Sequence, residues 1–157
     1  MLVNEILEDS MKDNRKQTEE ALAEIHRNAE LALQSIADIM PAVEDESIRN
    51  ELSAQHETYE QFSAKASTIA KDKGIELKNP NPFKKMMMWG SIKMSTMTDN
   101  SPSHIAEMMA QGSLMGITAL RKTQGELSPE GNEEIKALLD EMIAREEEFE
   151  KTWKAYI

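Results

Sequence analysis

Apolar residues recur along most of this chain at alternating steps of four and three, a spacing that restricts it to long amphipathic helices. Thr18, Leu22, Ile25, Ala29, Ala32, Ile36, Ile39 and Val43 follow it without a break, and Leu33 widens the stripe. Wound at about 3.6 residues per turn, these side chains gather on one face. The spacing predicts a helix over residues 12–43, kinked or ended early by Pro41, which has no N–H to donate and crowds the preceding turn. Asp45 is suited to cap a second helix, in which Ile48, Leu52, Gln55, Tyr59, Phe62, Ala66 and Ile69 repeat the spacing until Gly74. The short link makes these two an antiparallel hairpin.

Residues 75–82 contain two prolines and follow a glycine, so they are expected to run as an irregular connection. A shorter helix is expected over residues 83–98. Ser101 followed by Pro102 marks the start of a third long helix, read over 102–124 and ended by Gly125. Ser128 and Pro129 repeat the signal and are read as the start of the last helix, with Ile135, Leu139, Met142, Glu146, Phe149, Trp153 and Tyr156 on its inner stripe. The first ten residues, with Leu2, Val3, Ile6 and Leu7, either extend the first helix or fold back as a separate one.

Four of these rods are about 35 to 48 Å long and the fifth only about 24 Å. Two long hairpins joined by a connection of about 28 residues imply a single all-α domain over 1–157. The layout expected is a ferritin-like antiparallel four-helix bundle, its hairpin turns at opposite ends and a long crossover carrying a short extra helix.

The 157 residues suffice for one continuous core without cross-links. No cysteine is present, which removes disulfides, thiolate metal sites and cysteine nucleophiles. A net charge of -11 repels phosphate backbones, so nucleic acid is not an expected partner. No stretch approaches the roughly 18 apolar residues of a membrane span, and the start of the chain lacks a basic, then apolar leader pattern. A cytoplasmic location is expected.

Within the third long helix, residues 104–117 read HIAEMMAQGSLMGI. Following a two-hairpin layout, this segment resembles a group of bacterial proteins in the ferritin-like superfamily. The resemblance implies a four-helix bundle. The better-known members of that superfamily handle iron with a Glu on each of two helices and Glu-x-x-His on the other two. Here the second helix has His56, Glu57 and Glu60, the last has Glu146 and Glu147 with no histidine, and neither carries Glu-x-x-His.

Glu146 is the sharpest local feature, because a carboxylate on a core stripe costs several kcal/mol unless paired, hydrogen-bonded, protonated or bound to metal. Counting rise from turns near residues 44 and 126 puts His56, Glu107 and Glu146 at one height, with Glu30 or Gln34 near that level and His26 about two turns away. Such a set of nitrogen and oxygen ligands is a candidate Zn, Mn or Fe site. The structural alternative is that Glu146 pairs with His56, an arginine or a hydroxyl, or that its helix turns it towards water. His104, in a first helical turn, is expected at the surface. No Ser-His-Asp arrangement or general acid-base pair is evident, so no catalytic residue is assigned.

Eight of the twelve methionines lie between Met86 and Met115, among them Met86, Met87 and Met88 beside Trp89, after Lys84 and Lys85. Three consecutive residues of a helix point in three directions, which leaves apolar surface over. Gly112 and Gly116, four apart, let another helix approach closely. A non-enzymatic binding protein that self-associates through the 83–98 helix and the face of Gly112 and Gly116 is therefore the leading expectation, with a metal-binding redox or storage bundle as its rival.

Overall fold

Asp45 and Ser101 begin two of the long helices by the same chemistry: each lends a side-chain oxygen to an otherwise unpaired backbone N–H of the first turn. Asp45 accepts from Ile48 N at 2.9 Å and Ser101 from His104 N at 3.3 Å. The computed structural model describes residues 2–78 and 99–157. Their four helices are α1 (Leu2–Ile39), α2 (Glu46–Asp72), α3 (Pro102–Glu126) and α4 (Glu133–Lys154). The expected 83–98 helix and its methionines lie outside the described residues.

The first ten residues extend α1 rather than folding back, and residues 2–13 are all exposed. Pro41 ends the α-helix at Ile39 and enters a 3-10 turn, Met40–Ala42. Arg49 then donates from Nη1 to Met40 O at 3.1 Å and Val43 O at 2.9 Å, satisfying carbonyls the broken helix leaves open. At the far end of α2, Gly74 takes φ +69°, and Ile75 N reaches back to Ala70 O at 2.8 Å, closing the helix in the manner glycine makes possible.

Two expected boundaries are corrected. Gly125 does not end α3; the helix runs one residue further and closes on Leu127 N bonded to Thr123 O at 3.1 Å. Ser128 and Pro129 do not start α4 either. The buried side chain of Asn132 organises the turn, donating to Ser128 O at 3.0 Å and Asn14 Oδ1 at 2.7 Å while accepting from Thr18 Oγ1 at 2.7 Å. Gly131 supplies a positive φ of 78° beside it, and helix begins only at Glu133.

Every stripe residue of α2 named above is buried, as are Thr18, Leu22, Ile25, Ala29, Ile36, Ile39 and Val43 on the first stripe and all but Tyr156 on the last. These faces form one core. The α1 helix packs beside α2 and α3, and α4 beside α3 and α2. Three contacts fix the direction of α1 against α3: Asn100 Nδ2 to Ala42 O at 3.2 Å, Asn28 Nδ2 to Gly116 O at 3.1 Å, and Ser128 N to Gln17 Oε1 at 2.9 Å. Residue numbers rise on one helix as they fall on the other, so the two are antiparallel. The same holds for α2 and α4, through Ser47 with Tyr156, Tyr59 with Glu146 and Lys65 with Glu141. The α1–α2 turn thus lies at one end of the bundle and the α3–α4 turn at the other. No described helix is long and apolar enough to cross a membrane.

Candidate functional site at the centre of the bundle

Halfway along the bundle each helix contributes one residue to a polar cluster: the buried Asn28 from α1, Tyr59 from α2 and Glu146 from α4, with the partly exposed Gly116 from α3. Glu146 is 1% exposed. Its Oε1 accepts from the Tyr59 hydroxyl at 3.1 Å, while its buried Oε2 has no hydrogen-bond partner among the described residues. That oxygen lies over the backbone of Gly116. A methyl group at this position would stand 2.5 Å from Glu146 Oε2 and 3.0 Å from both amide atoms of Asn28. Asn28 is held there by its own bond from Nδ2 to Gly116 O.

Burial dominates the electrostatics. Removing a carboxylate from water disfavours its charged form, and the single hydroxyl donor of Tyr59 offsets only part of that. The pKa of Glu146 is pushed up to about 8, so at neutral pH the side chain is mostly a neutral acid. Tyr59 is pushed well above its usual range, first by burial and then by Glu146. Both groups are thus neutral near pH 7, which is how a core with no neighbouring cation among the described residues accommodates them.

Of the four residues named for a metal, only Glu146 belongs to this cluster. Glu107 is exposed on α3. The α3 residue beside Glu146 is Gly116, nine positions further along, or roughly 14 Å at helical rise. The physical reason is the α3–α4 turn: it spans residues 127–132 rather than lying at residue 126, and every height counted from it on α3 shifts accordingly. His56 is partly exposed and places Nδ1 2.7 Å from Glu60 Oε1, one turn along its own helix. Glu30 accepts from Ser63 Oγ at 2.8 Å, with His26 Nε2 3.9 Å away. Among the described residues, no three His, Asp or Glu side chains converge to hold a metal ion. The expected pairing of Glu146 with a hydroxyl is the one found, and the hydroxyl is that of Tyr59. His104 is half-buried, with its Nε2 enclosed.

The spacing of Gly112 and Gly116 conceals two different environments. Gly116 accommodates the Glu146 and Asn28 side chains, whereas a methyl at Gly112 meets nothing within 4 Å. The same substitution is therefore expected to act with opposite sign. Gly112→Ala should stabilise the protein by about 0.5–1 kcal/mol through helix propensity. Gly116→Ala should destabilise it by about 1–3 kcal/mol, because Glu146 and Asn28 must both move within a packed core. Urea denaturation of the two variants checks this, and Glu146→Ala in the Gly116→Ala background should recover part of the loss.

Comparison of the chain with models of known protein families, with curated proteins and with solved structures finds no match in any of the three.

Proposed function

We propose that this chain is a ferritin-like bundle that acts by binding at its surface, as an interaction protein, rather than by chemistry in its core. The supporting observation is the state of the bundle centre. Among the described residues Glu146 is the one buried carboxyl, and it is neutral near pH 7 and packed against Tyr59, Asn28 and Gly116. Transition metals take deprotonated carboxylates and imidazoles, several at once. A lone protonated acid pressed on a helix backbone serves instead to fix how the four helices meet. Exposed apolar side chains are concentrated elsewhere: Leu114 and Met115 beside Gly112 on α3, and the first three turns of α1. These are the surfaces a binding role would use.

Metal analysis of protein purified without chelator, with thermal melting in the presence of Fe(II), Mn(II) or Zn(II), tests this reading. A site that binds only the folded state raises the melting temperature. The expected result is no bound transition metal and an unchanged melting curve. Stoichiometric metal, with a melting shift lost in Glu146→Gln, would install the redox or storage bundle in its place.

A further inference from the structure

We infer that the groove beside the α1–α2 turn binds a small organic anion with one carboxylate and an apolar tail, of the kind of a medium-chain fatty acid, and that Arg49 holds the carboxylate. The inference goes beyond the surface-binding reading, because it adds a small-molecule site which that reading does not require. The groove has a volume of about 540 Å³ and opens to solvent between the two helices, a size that suits small ligands. Its α1 wall is made of Ile36, Ala37, Met40 and Pro41, none with a polar side chain. Its α2 wall is made of Arg49, Ser53 and His56, spaced by four and three residues and therefore on one face of the helix. From Arg49 to His56 that face runs about 10 Å at helical rise. An occupant that satisfies both walls has an apolar body and a polar head.

Charge identifies the head. Four of the five arginines, Arg15, Arg27, Arg121 and Arg145, stand in ion pairs with glutamates. Arg49 has no carboxylate partner among the described residues. Its Nη1 is held by Met40 O and Val43 O, which fixes the guanidinium and leaves Nε and Nη2 open. Those two nitrogens form the edge whose parallel N–H groups match a carboxylate. Ser53, one turn along α2, adds a hydroxyl to the same wall. The site thus supplies one cation, in a chain of net charge -11 that opposes a second negative charge on the ligand. A monocarboxylate fits that balance and a phosphate dianion does not. The acidic residues nearest in sequence, Glu44, Asp45 and Glu46, do not line the groove, and Asp45 is engaged at Ile48 N. Glu60, bonded to His56 Nδ1, stands eleven residues from Arg49, or about 16 Å at helical rise, so the uncharged tail is the part that approaches it.

Titration calorimetry on the full chain with octanoate, 1-octanol, acetate and inorganic phosphate gives the test. The expected result is one octanoate per chain with a Kd of about 0.1–1 mM, and binding at least about tenfold weaker for each of the other three. Arg49→Gln should weaken octanoate at least about tenfold by removing the guanidinium edge. Because Arg49 also ties down the end of α1, a second variant leaves those bonds in place: Ala37→Phe, at an exposed position, fills the groove and should abolish binding with helicity unchanged by circular dichroism. No binding at octanoate concentrations up to about 5 mM would overturn the inference. Octanol binding as tightly as octanoate, phosphate binding more tightly, or octanoate binding undiminished in Ala37→Phe would overturn it as well. Failure here, with no metal bound, would remove this ligand and leave the surface-binding reading standing, whereas metal bound through Glu146 would remove that reading and leave the groove to be decided by octanoate alone.

Discussion

Trp153→Ala is expected to cost about 3–5 kcal/mol of folding stability, a large share of the total for a domain of this size. Trp153 is fully buried on α4, where its Nε1 donates to Gln55 Oε1 on α2 at 3.2 Å and its ring lies 5.9 Å from that of Tyr156. Gln55 is itself buried and passes its amide on to Glu51 at 2.9 Å. Truncation therefore opens a large cavity between α2 and α4 near the α1–α2 turn and also leaves the Gln55 carbonyl without its donor. Trp153→Phe keeps most of the volume and loses the donor, so it should fall well short of the alanine loss. Urea denaturation with an unchanged slope would attribute both effects to the folded state.

Glu146→Gln is expected to remove a pH dependence rather than a contact. Folding raises the pKa of Glu146 from 4.5 to about 8, so the folded state binds the proton more tightly than the unfolded chain does. Below the unfolded value both states are protonated and the group adds no penalty. As pH rises from about 4.5 to about 8 the unfolded chain ionises first, and stability drains away by roughly 4–5 kcal/mol in all. Above the folded pKa the penalty is constant. The glutamine amide is neutral throughout and keeps an oxygen for the Tyr59 hydroxyl. The variant should therefore match the wild type near pH 4.5 and exceed it by several kcal/mol at pH 9, as measured by urea denaturation across that range.

How much of this was legible in the sequence depended on whether a feature was local. The stripes on α1, α2 and α4 were readable because helical periodicity needs no knowledge of a partner, and Glu146 stood out as the charged member of one of them. The caps at Asp45 and Ser101 were equally local. The start of α4 was not, because Ser128 and Pro129 carry the right chemistry for a helix start while the turn is set by Asn132 reaching across to Asn14 and Thr18, more than a hundred residues away. That one turn misplaced the register of α3 and with it Glu107. Asn28 and Gly116 were missed as members of the central cluster for the same reason. Asn28 sits beside Ala29 on the stripe, and only the path of α3 shows what it faces; Gly116 resembles Gly112 until Glu146 is placed against it. A polar residue flanking an apolar stripe on one helix, at the level of a charged one on another, was the signal available.

A neutral acid lies buried where the four helices meet. A carbon-13 NMR titration of the Glu146 side-chain carboxyl in the folded protein tests it most directly, with Glu146→Gln identifying the resonance. A midpoint near 8 is the result expected from its burial. A midpoint near the ordinary carboxylate value of 4.5 would mean that the carboxyl is charged at neutral pH and served by water, a cation or a metal, which contradicts a neutral acid at the bundle centre.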